Sequence, residues 1–182
     1  MIRAALIRAT AYVLACAVAV VACRLKRLPL RSTLGLYLPS RNQALVYSLL
    51  FAALVGLEEW SLSSSGLVPA GKWHADELGV LVRVLSMVVV APVAEELIFR
   101  GLLYTRLSKT PLREVGAIAV QAFFFAACHY DRSLHGAESL ALLQVLADGL
   151  YFGLVRYRTN STLLTIALHA GGNGLAAIQR IV

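Results

Sequence analysis

The sequence is poor in charge. Only 15% of its 182 residues are charged, whereas soluble domains have about one quarter. The hydrophobic share is 59% and the mean hydropathy is +0.72. This scarcity of charge excludes an ordinary soluble domain and indicates a membrane protein. At about 20 apolar residues per crossing, the length fits an all-α, polytopic bundle of about six transmembrane helices.

Cysteine is also scarce, and the motifs of several enzyme classes are missing. The three cysteines, Cys16, Cys23 and Cys128, stand in apolar stretches without a CxxC spacing. We expect small buried residues there rather than a disulfide framework or a metal cluster. The sequence has no Gly-x-Ser-x-Gly and no HExxH, which argues against a serine hydrolase and against a prearranged zinc site. The net charge of +7 is attributed to basic loops, and we expect no nucleic-acid partner.

What the sequence does have is long apolar segments, separated by connections rich in proline, glycine, serine and charge. We expect one integral membrane domain over 1–182. Its first segment is predicted to be a retained crossing rather than a cleaved signal peptide, because the apolar run is long. Basic residues concentrate after the first, third and fifth segments, which predicts that these connections face the cytoplasm. The six predicted spans are about 4–23, 43–59, 78–107, 114–130, 138–155 and 161–180.

A few polar side chains lie inside these spans. Placing an ionisable group near the middle of a membrane costs at least about 2.5–3.5 kcal/mol of insertion free energy. We therefore expect each such group to have a structural or functional role. At a helical rise of about 1.5 Å per residue, the groups on four spans fall at a similar depth, which favours one shared polar chamber. The pair Glu58–Glu59 is different: we place it at a membrane edge, where a loop begins, and give it no functional role. The intramembrane polar residues are Arg83, Glu95, Glu96, Arg100, Gln121, His129, Gln144, Asp148, His169 and Asn173.

The stretch APVAEELIFRG, residues 91–101, carries the most informative charges. Glu96 and Arg100 are four positions apart with the acid first, so they can pair along one helix face. Glu95 points about 100° away from Glu96 and has no local partner. Pro92 removes a backbone donor and is predicted to kink or break the span, which would open a water-filled pocket beside Glu95. Glu95 is therefore a candidate to accept a proton from water.

Two histidines and an asparagine complete the candidate site. Phe125 and His129 share one helix face, and so do His169 and Asn173. With Glu95 these groups suit amide hydrolysis, in which the carboxylate and one imidazole activate water while the second histidine and the asparagine stabilise the oxyanion. The alternative is a zinc site with Glu95, His129 and His169 as ligands and one open water position.

Three short segments carry a family resemblance. EELIFR at 95–100, FAACH at 125–129 and HAGGN at 169–173 stand in this order. They resemble the EExxxR, FxxxH and HxxxN motifs of the CAAX-protease and bacteriocin-processing family, the type II CAAX prenyl endopeptidase-like intramembrane proteases. The resemblance covers the motif-bearing core, about 78–180, and leaves the two spans within 1–60 without a motif.

The resemblance implies a role for each motif residue. Glu95 would be the general base, acting on water together with His129, and His169 with Asn173 would form the oxyanion site. Family members have been described both as metalloproteases and as metal-free glutamate proteases. Two histidines on different helices suit the second description, so we expect no cofactor, with zinc as the alternative. The supporting residues are Glu96, Arg100, Phe125 and, outside the motifs, Asp148 as a partner for a histidine.

The leading hypothesis is an intramembrane endopeptidase that cleaves a membrane-associated or lipidated peptide near its C-terminus or membrane anchor. We expect it in a bacterial inner membrane, with lipid and a peptide substrate as its partners. Two alternatives stay open. One is a non-catalytic binding or immunity protein of the same family, and the other is a proton-coupled transporter that uses Glu95, His129 and Asp148 as a relay.

Overall fold

Helices make up most of the part of the chain that the computed structural model describes, residues 2–66, 73, 76–130 and 138–181. No strand is present within those ranges, which confirms the predicted all-α class. We number seven helices in chain order. They are α1 (Ile2–Leu25), α2 (Leu30–Leu34), α3 (Arg41–Ser64), α4 (Glu77–Leu107), α5 (Arg113–Cys128), α6 (Glu138–Thr159) and α7 (Thr162–Ile181).

Three of the described helices are long and apolar enough to cross a membrane. These are α3, α4 and the Leu140–Thr159 part of α6. The predicted count of six spans therefore stays a prediction, although each predicted segment coincides with a helix to within a few residues.

The end of α3 departs most from the prediction. The helix continues to Ser64, so placing Glu58–Glu59 where a loop begins was wrong. Serine hydroxyls sustain the last turns: Ser61 donates to the carbonyl of Glu58 and Ser63 to that of Trp60. Ser65 donates to the carbonyl of Leu62, which is one of the last four that the helix leaves without an intrahelical donor. A serine-rich stretch, which suggests a loop, can thus extend a helix.

Helix α4 contains two widened turns with π geometry. They cover Ser86–Val90 and Leu97–Leu103 and flank an α-helical segment, Ala91–Glu96. Pro92 lies in that segment and does not break the helix, contrary to one of the two predicted outcomes. The wider turns absorb the irregularity, as such turns often do at functional sites.

The helices pack closely where small residues meet. A Cβ on Gly149 of α6 would lie 3.1 Å from the Cα of Ala122 on α5, and one on Gly153 would lie 2.5 Å from the side chain of Gln121. Close approach of this kind is typical of membrane helices, which associate through small residues. It brings the backbone of α6 within reach of polar side chains on α4 and α5.

One end of the bundle collects three connections. The Gly35 carbonyl, after α2, accepts from Thr162 N–H at 2.8 Å. Ser161 Oγ donates to the Tyr37 carbonyl at 2.6 Å, and Arg156 Nη2 lies 3.5 Å from Thr105 Oγ1. The connections after α1, α4 and α6 therefore lie on one side of the molecule.

The cysteines are free, as expected, but they are not all buried. Cys23 is buried and Cys16 is half-buried, whereas Cys128, the last residue of α5, is exposed. The prediction of three buried thiols was wrong at Cys128. An apolar segment in a membrane protein can face lipid as well as protein, so apolar neighbours did not decide its burial.

Candidate active site

The candidate catalytic groups of α4, α5 and α7 meet at Glu95. The Nε2 atoms of His129 and His169 each lie 3.8 Å from Glu95 Oε2. Glu95 and His169 are buried, while the His129 side chain is 35% exposed. His129 is the C-cap residue that directly follows α5, and its imidazole has a route to solvent. One carboxylate and two imidazoles thus share a single pocket.

Hydrogen bonds on the far side of each ring determine how the imidazoles face Glu95. His129 Nδ1 lies 2.8 Å from the Phe125 carbonyl, which can only accept, so this nitrogen carries a proton. His169 Nδ1 lies 3.0 Å from Glu96 Oε1 and is assigned a proton for the same reason. In the neutral rings both Nε2 atoms are then acceptors directed at Glu95. A water molecule between three acceptors would have its protons drawn toward them.

Glu96 and Arg100 form the expected ion pair. Arg100 Nη1 lies 2.8 Å from Glu96 Oε1, and both side chains are fully buried. The same carboxylate oxygen accepts from His169, so the pair also orients that imidazole. Arg100 Nη2 donates to the Gly149 carbonyl at 3.3 Å. The spacing of four predicted the pair, while its connections to α6 and α7 depend on tertiary packing.

An aromatic shell surrounds these groups. The Phe125 ring centre lies 4.6 Å from that of His129 and 5.8 Å from that of His169, and the Arg100 guanidinium stands 4.3 Å above it. The His169 ring stacks on Phe152 at 5.4 Å and 22°. Stacking and cation–π contacts hold rings and guanidinium in place and exclude water. The motif phenylalanine therefore contacts three of the polar groups.

Asn173 makes a bond that sequence reasoning missed. Its Nδ2 donates to the Met87 carbonyl at 2.8 Å. In the π turn Ala91 N–H bonds to Ser86 five positions back, so the next donor in that register would be Pro92, which has no N–H. Asn173 supplies the missing donor. One amide hydrogen of Asn173 is therefore used structurally, which leaves the second for other partners.

Two cavities meet at the histidines. The larger, about 400 Å³, is lined by Glu95, His129, His169 and Asn173 and extends to Arg83 and Arg180. The smaller, about 220 Å³, contacts both histidines from the side of α3 and α6. The candidate catalytic groups thus border a pocket of the size that small-ligand sites have.

Comparison with protein families gives a clear match. The model described as type II CAAX prenyl endopeptidase Rce1-like matches residues 77–175, more than half of the chain. The chain belongs to this family. That finding confirms the resemblance seen in the motifs and supports a peptidase in an integral membrane protein. The match begins where α4 begins and leaves α1 to α3 outside it. No curated protein and no solved structure compared with the chain matches it significantly.

Two further carboxylates lie near the family's motif residues. Asp148 and Glu58 both line the smaller cavity, and each has one buried carboxylate oxygen without a hydrogen-bond partner among the described residues. Asp148 is thus beside the histidines, but no hydrogen bond joins that oxygen to them. Glu58 was missed. Its signal was periodicity: Phe51, Val55 and Glu58 recur at helical spacing and all line this cavity.

The metal alternative can be tested against the donor geometry. No group of three or more His, Cys, Asp or Glu in the described residues is arranged to hold a metal ion. Glu95 Oε2 lies 3.8 Å from each imidazole nitrogen. Zinc would need all three atoms at about 2.0–2.2 Å from one centre, in tetrahedral geometry. Two such ligands lie about 3.3–3.6 Å from each other, so the 3.8 Å separations are a few tenths of an ångström wider than a tetrahedral zinc site requires.

Proposed function

We propose that the protein is an intramembrane endopeptidase of the glutamic type, which hydrolyses a peptide bond near the C-terminus or membrane anchor of a membrane-associated or lipidated substrate. The observation that carries the proposal is the convergence of two imidazole Nε2 atoms on Glu95 at 3.8 Å, within a cavity of about 400 Å³. Membership of a CAAX endopeptidase family supports the substrate class.

The reaction begins with water held between Glu95 and His129. Glu95 accepts a proton as the water oxygen attacks the scissile carbonyl, so one O–H bond breaks and one C–O bond forms. The carbonyl becomes an oxyanion. When this intermediate collapses, the C–N bond breaks and the leaving amine takes the proton that Glu95 holds. Water is consumed, and a carboxylic acid and an amine are released.

His169 and Asn173 are proposed to stabilise the oxyanion. Asn173 has one amide hydrogen beyond the one it gives to Met87. His169 donates through Nδ1 to Glu96, so it can offer a second donor only when Nε2 is also protonated. Preorganised donors of this kind contribute about 2.7–4 kcal/mol each in other hydrolases.

The catalytic test compares wild type with Glu95→Gln on a prenylated peptide that ends in a CAAX tetrapeptide, in liposomes. We expect at least about a 100-fold loss of cleavage rate, which is the usual minimum for a general base. Glu114→Gln is the matched control, because Glu114 is an exposed carboxylate at the start of α5 and lies outside both cavities. Equal cleavage by wild type and Glu95→Gln would refute the proposal. If wild type cuts nothing, the binding or immunity alternative gains support.

We further propose that catalysis needs no resident metal, because no group of three or more His, Cys, Asp or Glu among the described residues is arranged to hold one. The test is chelation followed by metal analysis of the purified protein. Full activity of metal-free protein is expected. Loss of activity on chelation, with recovery on adding zinc, would contradict this part of the proposal alone.

A second candidate function has one observation in its favour. Glu58 and Asp148 line the smaller cavity, Glu95 lines the larger one, and the two histidines line both. Such a set suits a proton relay. Proton flux across sealed vesicles, driven by a pH gradient and lost in Asp148→Asn, would support a transporter. We expect no such flux.

A further inference from the structure

We propose that the substrate reaches Glu95 from the end of the bundle at which α4 begins and α7 ends. This is the Trp73 end, because Trp73 contacts both helices there. The opposite end is the basic end, where the connections after α1, α4 and α6 meet. The proposal rests on the proposed peptidase function and adds to it the side of the membrane on which the cleaved segment of the substrate lies.

The larger cavity extends from Glu95 toward the Trp73 end. Its walls follow α4 toward the start of that helix and α7 toward the end of that helix. None of the lining residues within the described ranges belongs to a connection at the basic end. The free space around Glu95 is therefore continuous with the Trp73 end. The lining residues beyond the carboxylate and the histidines include Ala91, Met87, Ser86 and Arg83 on α4 and Asn173 and Arg180 on α7.

Helix α5 ends at the level of Glu95, which leaves room on this side. Its 16 residues cover about 24 Å, less than the roughly 30 Å of a bilayer core. The helix starts near the basic end, and its C-cap residue His129 lies 3.8 Å from Glu95. From that level toward the Trp73 end, α4 extends roughly a further 27 Å and α7 roughly a further 18 Å. Both helices thus continue past the last turn of α5, and the larger cavity lies along them.

The smaller cavity extends in the same direction. From the two histidines its lining reaches Glu58 and Glu59, which lie in the last turns of α3 before Ser64. On α7 it reaches Leu175 and Ala176, which follow the motif toward the end of the helix. Helix α3 starts at the basic end and finishes at the other end of the bundle. Both cavities therefore lead away from the basic end.

The interior between Glu95 and the basic end is filled. Glu96, Arg100 and Gln121 are fully buried, and the last two donate to the Gly149 carbonyl at 3.3 and 2.8 Å. A substrate that came from the basic end would have to separate these side chains and break the buried ion pair, which is strongly destabilising. A second buried layer lies beyond the first and consists of Tyr104, Thr105, Arg156, Ser161 and Thr162.

The distribution of charge relates the two ends to the two faces of the membrane. The connections at the other end of the bundle contain only Lys72 and Arg132 as basic residues. Cytoplasmic connections have the excess of lysine and arginine, so the basic end faces the cytoplasm and the Trp73 end faces away from it. The substrates are then membrane-anchored proteins whose cleaved segment lies outside the cytoplasm. The exposed basic residues around the basic end are Lys26, Arg27, Arg31, Arg106, Lys109, Arg113 and Arg158.

The first test adds one substrate to opposite faces of the membrane. The substrate is a peptide with one prenyl anchor and several charged residues, which does not cross a bilayer. Wild type should cleave it in spheroplasts, which present the extracytoplasmic face, and not in sealed inverted vesicles. Detergent should restore cleavage in the inverted vesicles, and Glu95→Gln corrects for proteases of the host. Cleavage in sealed inverted vesicles, before detergent is added, would overturn the proposal.

The second test needs no cleavage. Ser86 is half-buried, lines the larger cavity and lies about two and a half turns before Glu95. In a background without native cysteines, Ser86→Cys should react with a small, charged, impermeant thiol reagent from the same face as Ser64→Cys. The reaction should abolish cleavage, because the reagent then occupies the route. Ser32→Cys is the matched control, an exposed serine of α2 at the basic end, which should react from the other face without loss of cleavage.

These results separate failure of the route from failure of the peptidase. If wild type cleaves nothing even in detergent, reaction of Ser86→Cys from the face of Ser64→Cys still supports the route, while the proposed function fails. Reaction of Ser86→Cys from the face of Ser32→Cys, or from both faces, would overturn the route even if cleavage is observed. Reaction of Ser86→Cys and Ser64→Cys from the cytoplasmic face would overturn the assignment to extracytoplasmic substrates.

Discussion

Single side chains at the centre of this protein serve two purposes at once. Glu96 Oε1 accepts from both Arg100 and His169, and Arg100 also reaches the carbonyl of Gly149. The ion pair thereby ties α4 to α7 and α6 while it orients a candidate catalytic imidazole. A buried pair of this kind contributes little net stability compared with apolar packing, but breaking it leaves an uncompensated charge.

Arg100→Gln should therefore be strongly destabilising. We expect a loss of about 3–5 kcal/mol in the free energy of unfolding, because Glu96 would keep its charge in a fully buried place. The measurement is a denaturant titration in detergent micelles. Arg158→Gln removes an exposed arginine from α6 and should change this free energy by less than about 0.5 kcal/mol. A similar small effect of Arg100→Gln would show that the pair is not needed for stability.

Gly35 offers a second prediction for a single residue. Its φ is 66°, and a Cβ there would come within 2.5 Å of the Arg156 guanidinium. Gly66 has almost the same φ, 69°, but a Cβ there would meet no atom of the described residues within 4 Å. Gly66→Ala should cost about 1–2 kcal/mol from backbone strain alone. Gly35→Ala should cost about 1–3 kcal/mol more, because Arg156 is buried and would have to move. Equal losses in thermal unfolding would show that Arg156 moves freely.

At the scale of helices, α4 and α7 are joined through an irregularity in the backbone. The Met87 carbonyl has no partner in the π register because Pro92 lacks an N–H, and Asn173 provides the donor. The π turn, the proline and the asparagine are thus one structural unit. That unit also positions Asn173 within the larger cavity.

A double-mutant cycle tests this unit. Asn173→Ala alone should cost about 0.5–1.5 kcal/mol of unfolding free energy, because it removes the hydrogen bond to the part-buried Met87 carbonyl. In the Pro92→Ala background the new N–H permits a regular helix, in which Met87 regains a backbone donor. The cost of Asn173→Ala should then fall by at least about 0.5 kcal/mol, the lower end of coupling between residues in contact. Additive losses would mean that Asn173 does not compensate for the proline.

For the whole molecule, the tertiary contacts arrange the basic connections in space. Residues 35–37, 105 and 156–162 meet through hydrogen bonds at one end of the bundle. At the opposite end, Trp73 contacts both the end of α7, where its backbone N–H donates to the Arg180 carbonyl, and the start of α4. Helices α3 and α4, both apolar enough to cross a membrane, connect these two ends.

Labelling from one side of the membrane should reveal this arrangement. In a background with Cys16, Cys23 and Cys128 replaced by serine, Lys26→Cys and Lys109→Cys should react with an impermeant maleimide from the cytoplasmic face. Ser64→Cys should react only from the opposite face. All three positions are exposed, so access to the thiol does not limit labelling. The positive-inside tendency gives the expected orientation. Labelling of all three from one face would show that α3 does not cross.

The sequence was most informative where a property depends on neighbours along the chain. Long apolar runs predicted the helices, and the spacing of four predicted the pairing of Glu96 with Arg100, which the structure contains. The EExxxR, FxxxH and HxxxN spacings identified the family that the comparison confirmed. The roles assigned to Glu95, His129, His169 and Asn173 stay predictions, although the structure brings all four to one cavity.

Each feature that the sequence analysis predicted wrongly or did not predict has a physical cause. Glu58 was assigned to a loop because serines follow it, and their hydroxyl bonds to the helix backbone were not anticipated. Cys128 was expected to be buried because its neighbours are apolar, yet lipid and protein interior favour the same residues. Short helix α2 and the two π turns have no hydropathy signal of their own.

By itself, the sequence determined that this chain is an all-helical membrane protein of a CAAX endopeptidase family, because hydropathy and motif spacing are local properties. Only the tertiary structure decided that two imidazoles converge on Glu95, that Asn173 compensates for Pro92, and that Arg83 and Arg180 lie at the other end of the same cavity. These relations depend on how each helix is rotated about its axis and how closely it approaches its neighbours. In lipid, where both faces of a helix can be apolar, that rotation is set by packing and hydrogen bonding between helices rather than by hydropathy.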